Sequence, residues 1–352
     1  MTSHIRTADP TGVLHDLFRP IRAELAQVEK LLARELYSVD PQLGPLLQHA
    51  SQLAGKRLRP ALLLLVGQAC GQITCDHHVM AAVVEIIHTA TLLHDDVLDK
   101  AAVRRHLPTI NARWGDHTAI LLGDYLFSHA FYLASTTGNA AACVRIGKAT
   151  NTVCAGEIRQ QAARGNWNLS EQEYLEIAAA KTGALCACSC EIGALLAGRP
   201  QPEIARWADF GSALGVAFQI VDDLIDVLGD EAMAGKSVNR DAAQQIASLP
   251  WIYAWQELDD GERSLLADWL ENLADDARGL PAPAATEPSA GVGAGGSRQW
   301  LLWLEKTRAV QRAWHTAKRY ADLARNLLDG CHDSPAGRTL ARIVDFVLER
   351  PC

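Results

Sequence analysis

"EYLEIAAAKTGALCACSCEIGALLAG", residues 173–198, carries apolar residues at three- and four-residue spacing, with no proline and no alternation of polar and apolar positions. That is the period of an α-helix. The stretch is apolar nearly all round, which suits the centre of a bundle rather than its surface. Outward from it, proline is absent from Asn111 through Arg199 and again from Glu203 through Leu249, and the same spacing recurs along both spans. No strand pattern recurs. The expectation is an all-α fold of about ten or more helices.

The chain has 352 residues, 49% of them hydrophobic and only 6% aromatic. That is ample for a large core, in one large domain or two ordinary ones. One segment breaks the helical pattern. Residues 281–297, "PAPAATEPSAGVGAGGS", read as a flexible insertion spanning about 278–298 between two helices. The net charge of -8 gives no footprint for nucleic acid. The nine cysteines follow no zinc spacing and fit reduced thiols in a cytoplasmic protein. No charge-free apolar run reaches the ~18 residues that span a bilayer. Six of the nine tryptophans lie after residue 250 and read as packing anchors.

Chemistry enters at "TLLHDDVLDK", residues 91–100. Asp95 and Asp99 are four residues apart, about 40° in azimuth and ~6 Å along a helix, so they share a face. Asp96 points roughly a quarter-turn away. The arrangement returns in "FQIVDDLIDVLGD" as Asp222, Asp223 and Asp226, again inside an apolar helix. One such motif could be a solvated acidic face. Two suggest at least four carboxylates converging on one cavity, which repel unless cations neutralise them. Oxygen-only ligands select a hard cation, and Mg²⁺ is the natural choice where it also binds phosphates. Phosphates would call for basic neighbours. "GKRLRP" supplies Lys56, Arg57 and Arg59, "VRRHLPTIN" supplies Arg104 and Arg105, and Lys181 and Lys236 are further candidates.

These residues resemble the all-trans polyprenyl diphosphate synthases. The match runs in order through "GKRLRP", "IHTATLLHDDVLD", "RRHLPTIN", "GDYLFS", "AGEIRQQ", "KTG", "GVAFQIVDDLIDVLGD", "GKSVNRD" and "LARIVDFVLER". The resemblance implies that 1–352 is a single all-α domain, a helical bundle of isoprenoid synthase type around a deep central cavity, usually a homodimer. It implies an enzyme that condenses isopentenyl diphosphate with an allylic diphosphate by ionisation, condensation and elimination. By the same resemblance Asp95 and Asp99 would hold two Mg²⁺ ions and Asp222 a third, with Asp96, Asp223 and Asp226 close by. Arg104, Lys181 and Lys236 would clamp the allylic diphosphate, and Lys56, Arg59, His88 and Arg105 the isopentenyl one. Lys181, Thr182 and Gln219 would line the place where the carbocation forms, and His94 would be a structural neighbour.

Members that stop early place a bulky aromatic four or five residues before the first aspartate. Here those positions hold Thr91 and Ala90, so a product longer than fifteen carbons is expected, with Phe131 among the candidates for a deeper floor. Three positions depart from the family's pattern: His106 and Asn239 replace glycines, and Ile246 replaces a lysine. The rival readings are a class I terpene cyclase, which would need no isopentenyl site, and a regulatory subunit, which would be free to lose its aspartates. A catalytic subunit of a heteromer is a further alternative.

Overall fold

The computed structural model describes residues 16–53, 55–229, 239–278, 296–331 and 333–350. Among the described residues the chain is helical almost throughout. In order come α1 (Arg22–Glu35), α2 (Leu43–Leu53), α3 (Leu58–Ala69), α4 (Cys75–Leu98), α5 (Ile110–Trp114), α6 (Asp116–Ser135), α7 (Ala140–Ala162) and α8 (Glu171–Ala178). Then follow α9 (Ala184–Leu196), α10 (Gln201–Leu228), α11 (Arg240–Ala243), α12 (Leu249–Glu257), α13 (Asp260–Arg278), α14 (Gly296–Lys306), α15 (Ala309–Leu327) and α16 (Pro335–Leu348). The all-α expectation holds. The break in it is a two-stranded hairpin, β1 (Val103–Arg104) on β2 (Leu107–Pro108), which no alternating pattern announces. Lys236 and nearly all of the expected insertion fall outside the described residues; α13 ends at Arg278 and α14 starts at Gly296.

The chain forms two compact units. The first gathers the chain up to Thr152 with Ala184–Ser212 and Leu323–Phe346. Its centre is α3, in which every residue from Pro60 to Gly67 is buried, so it has no polar face and packs on both α4 and α9. Each buried leucine of such a helix contributes about 1.5–3 kcal/mol. α4 begins at a cap: the Thr74 backbone N–H donates to Nδ1 of His77 at 3.0 Å. With Nδ1 accepting, Nε2 carries the proton and faces the Gly193 carbonyl at 3.1 Å. His77 is buried, and burial lowers its pKa, in keeping with a neutral ring that ties the start of α4 to α9.

α4 packs chiefly on α6, and Gly123 makes the approach possible. A Cβ there would lie 2.2 Å from Nε2 of His94, whose ring instead reaches the Ile120 carbonyl at 3.1 Å. His94 is therefore a packing contact between two helices, at the turn of α4 that carries Asp95.

The second unit gathers Val153–Gly183, Ala213–Asp322 and the chain from Val347 onward. Three of its tryptophans form a cluster: Trp251 lies 5.4 Å from Trp269 and 6.2 Å from Trp300, ring centre to ring centre. They pin α12, α13 and α14 together, the packing role expected of them. α8 opens with a reciprocal cap, Ser170 accepting from the Glu173 backbone at 3.2 Å and its own N–H donating to the Glu173 carboxylate at 2.9 Å. Between α8 and α9 the helix widens to a π-turn over Ala179–Gly183. The continuous stretch Glu171–Leu196 is long and apolar enough to cross a membrane, but 61% of its apolar window is buried inside the protein, as for a core helix.

Candidate active site

In the first unit α4 delivers the aspartate motif at its last turn, with Asp99 as the C-cap in right-handed helical geometry. Asp95 and Asp99 thus keep the shared face expected of them, and both are partly exposed. Asp96 differs: it is only 1% exposed, and Arg104 Nε donates to both of its oxygens, at 2.9 and 3.1 Å. A buried carboxylate this close to a guanidinium holds that guanidinium in place, and removing either partner strands a charge.

Arg104 stands on the hairpin, and "RRHLPTIN" turns out to be the device that fastens it. Arg105 and His106 form its two-residue turn, both left-handed, with φ of 52° and 65°. Thr109 caps α5 and sends its hydroxyl to the Ala101 carbonyl at 2.6 Å. The Asn111 amide bridges the carbonyls of Asp96 and Ala101 at 3.3 and 3.1 Å.

The two basic clusters of the sequence come together here. A Cβ on Gly55 would meet the Arg105 guanidinium at 3.1 Å, so the loop before α3 lies directly against it. Arg57 is occupied: Glu29 takes its Nε at 2.6 Å and Glu85 its NH1 at 2.7 Å. Burial pulls its pKa down, but these two carboxylates outweigh that and raise it. Arg59 presents a buried Nε with no hydrogen-bond partner. His88 lies among the arginines. Its pKa sits well below the usual histidine range, first from desolvation and then from Arg59, Arg104, Arg105 and Arg57. Arg105 is lowered too, by burial and by Arg104. This cluster is strongly electropositive, and it includes an orphan donor suited to an anion.

Just before the motif, Ala90 is fully buried and the Thr91 hydroxyl donates to the His88 carbonyl at 2.8 Å. Phe131 is 38% exposed on α6, while Phe127 packs against His94 with ring centres 5.7 Å apart.

In the second unit α10 carries Asp222, Asp223 and Asp226. Asp223, 4% exposed, accepts from the Tyr174 hydroxyl at 2.6 Å and from the Gln219 amide at 2.8 Å. Gln219 in turn accepts the Thr182 hydroxyl at 2.7 Å, so Thr182, Gln219, Asp223 and Tyr174 form one chain of hydrogen bonds. Desolvation dominates at Asp223 and lifts its pKa to about 7; Tyr174 and Gln219 oppose the rise, and Asp222 and Asp226 add to it. Asp226 accepts the backbone N–H groups of Arg240 and Asp241 at 3.3 and 3.1 Å and so holds the start of α11. Asp222 pairs with Arg350 at 2.5 Å. The π-turn projects Lys181, whose ammonium meets Glu157 and Gln160, both at 2.7 Å. π-turns inside α-helices are rare and concentrate at functional sites.

Sequence reasoning assigned no role to Glu157, Gln160, Tyr174, Asp241 or Arg350. Glu157 and Gln160 stand in "AGEIRQQ" and Asp241 in "GKSVNRD", so the first two and Asp241 were within reach. Tyr174 reads as an ordinary core aromatic. Asp241 faces Asp226 and Asp223 from α11, and burial raises its pKa well above the carboxylate range.

No three potential metal ligands are gathered into a closed group among the described residues. Carboxylate oxygens suit a hard cation, and Mg²⁺ takes one or two of them with waters and substrate phosphates as its other ligands. Asp95, Asp99 and Asp222, all partly exposed oxygen donors, are the residues that would hold it.

The fold and these two motifs define a helical enzyme class built to handle diphosphates. The family model for polyprenyl synthetase matches residues 40–281. A heptaprenyl diphosphate synthase component 2 from Geobacillus stearothermophilus is 36% identical over 93% of this chain and 96% of its own length. The crystal structure of a decaprenyl diphosphate synthase from Rhodobacter capsulatus superposes with a TM-score of 0.85 at 32% identity, covering 96% of this chain and 99% of that one. A polyprenyl synthase from Caulobacter crescentus, solved with calcium and isoprenyl diphosphate, gives 0.84 at 30% identity over 96% and 98%. The chain belongs to the polyprenyl synthetase family and is a trans-prenyltransferase.

Proposed function

We propose that the protein condenses isopentenyl diphosphate with an allylic diphosphate to give an all-trans polyprenyl diphosphate longer than fifteen carbons, with Mg²⁺ as its cation. The observation that carries this is the electropositive cluster around neutral His88, two helical turns before Asp95, with the orphan Nε of Arg59 in it. A terpene cyclase needs no such second anion site. The names of the Geobacillus and Rhodobacter relatives support the longer product.

In this reading Lys56, Arg59, His88 and Arg105 bind the isopentenyl diphosphate. Arg104, steadied by Asp96, and Lys181, steadied by Glu157 and Gln160, take the allylic one, and Lys236 is assigned to the same role by its motif. Asp95, Asp99 and Asp222 hold the cations, while Asp223 and Asp226 brace the second motif from behind. Bound Mg²⁺ neutralises charge on the leaving diphosphate and so promotes ionisation. The Thr182–Gln219 pair turns oxygen lone pairs toward the developing carbocation, and apolar walls limit its capture by water. The departing diphosphate is a sufficient base for the final proton, so no dedicated His or Glu is needed. Ala90 and Thr91 leave room for continued elongation, and Phe131, 38% exposed, is the candidate for a deeper floor.

The protein acts in the cytoplasm as a dimer. Leu121, Tyr125 and Tyr132 form an exposed apolar stripe on α6, and Val144 and Ile158 another on α7, suited to a second copy. The Geobacillus relative, named as a component 2, favours a non-identical partner as the second reading. Purified protein incubated with Mg²⁺, farnesyl diphosphate and labelled isopentenyl diphosphate should yield elongated, labelled prenyl diphosphate without any added subunit. A cyclised hydrocarbon lacking label points to a cyclase. Turnover only after adding cell extract points to the heteromer.

A further inference from the structure

The three aspartates of α10 are satisfied in different ways. Asp223 is held by two neutral donors, Tyr174 and Gln219, and Asp226 chiefly by backbone N–H groups. Asp222 meets a full positive charge, Arg350, which lies just past the end of α16. The contact is built on both sides of the guanidinium. Its NH2 is 2.5 Å from Asp222 Oδ1, and its plane lies over the Phe218 ring, 4.5 Å from the centre. Phe218 and Asp222 are one turn apart on α10, so one face of the helix grips the group twice. The Arg350 side chain is 17% exposed and Asp222 40%, so the pair is reachable from solvent but not loose.

We propose that Arg350 is a resident cation for the second aspartate motif, which a divalent metal ion must displace from Asp222. The inference rests on Asp222 being a metal ligand. A guanidinium and a divalent ion repel each other across one carboxylate, so the two exchange rather than coexist. The released fork of Arg350 suits a phosphate. Metal entry at Asp222 is therefore favoured once a diphosphate is present to receive the arginine, and disfavoured in its absence. Arg350 thereby discourages the protein from loading this position before substrate arrives.

The test is Mn²⁺ binding to the full chain, read by electron paramagnetic resonance of free Mn²⁺, first without any diphosphate. Arg350→Ala should bind Mn²⁺ roughly threefold to tenfold more tightly than the wild type. Arg350→Lys, which keeps the charge, should stay near the wild type, and Phe218→Leu should move part of the way toward the alanine variant. In an Asp222→Ala background the Arg350→Ala effect should vanish. Arg350→Gln carries the same expectation if the alanine variant loses helical circular dichroism. Equal or weaker Mn²⁺ binding by the charge-removing variants, Arg350→Ala and Arg350→Gln, including no measurable binding in either these or the wild type, overturns the proposal. Repeating the titration with inorganic diphosphate separates the premise from the inference. If Asp222→Ala leaves Mn²⁺ binding intact there, Asp222 is no ligand and both fall. If it weakens binding while Arg350→Ala changes nothing, the ligand assignment stands and the exchange does not.

Discussion

His106 and Asn239 occupy left-handed backbone positions, φ 65° and 57°, where the family resemblance leads one to expect glycine. An L-residue there pays about 1–2 kcal/mol, least for short polar side chains that can bond locally. These departures therefore keep the backbone path and give up a little stability, which is why they need not signal a lost activity. His106→Gly should stabilise the protein by about 0.5–1 kcal/mol after the entropy of the unfolded glycine is counted, while His106→Val should destabilise it; urea midpoints report both. A second residue-scale effect belongs to Asp223. Its folded pKa, about 7, lies above the ordinary aspartate value of 3.8, so between those limits the folded chain holds a proton that the unfolded chain releases. Its contribution to stability is thus fullest in acid and declines as pH rises toward 7. Asp226 and Asp241 are shifted the same way and add to the slope. Asp223→Asn should flatten, without abolishing, the fall in the urea midpoint between about pH 5 and 7; an unchanged slope would show that Asp223 ionises normally.

At the scale of elements, the long helices were legible because burial of one stripe or of a whole cylinder leaves a period in the sequence. α3 and the α8–α9 stretch announce themselves in this way. The β1–β2 hairpin was not legible, since its turn residues are Arg105 and His106 rather than Asn and Gly. Nor was the π-turn, because one extra residue in a helix hardly alters an apolar run. Yet that turn aims Lys181, and Glu157 and Gln160 on α7 hold its ammonium. Glu157→Gln keeps a hydrogen-bond acceptor and removes the charge. It should lower kcat/KM about tenfold, mostly through KM for the allylic substrate, with circular dichroism unchanged. A loss confined to KM for isopentenyl diphosphate would place Lys181 elsewhere.

Across the whole molecule, the aspartates and the first-unit basic residues were readable because chemistry demands particular residue types at particular spacing. Their division of labour was not readable. Asp95 and Asp96 are adjacent in sequence, but one is partly exposed and the other is buried against Arg104, a difference that only the fold creates. Arg57 and Arg59 are likewise indistinguishable as letters, yet Glu29 and Glu85 neutralise the first while the second keeps a buried donor. Product size is the property that draws on the most of the fold. Ala90→Phe puts an aromatic ring at a fully buried position of α4 and should shift the product distribution to shorter chains, read by sizing the extracted lipids. An unchanged distribution would remove Ala90 from the elongation path.

The neutral state of His88 has a consequence for how the protein meets changes in acidity. A histidine on a binding surface normally makes affinity a function of pH around neutrality. Here burial first, and then the surrounding guanidinium groups, hold the imidazole's pKa well below that range, and the guanidinium groups themselves stay charged. The cluster is in effect a constant-charge electrode. Its attraction for an anion is largely set when the chain folds, and His88 adds no pH dependence to binding around neutrality.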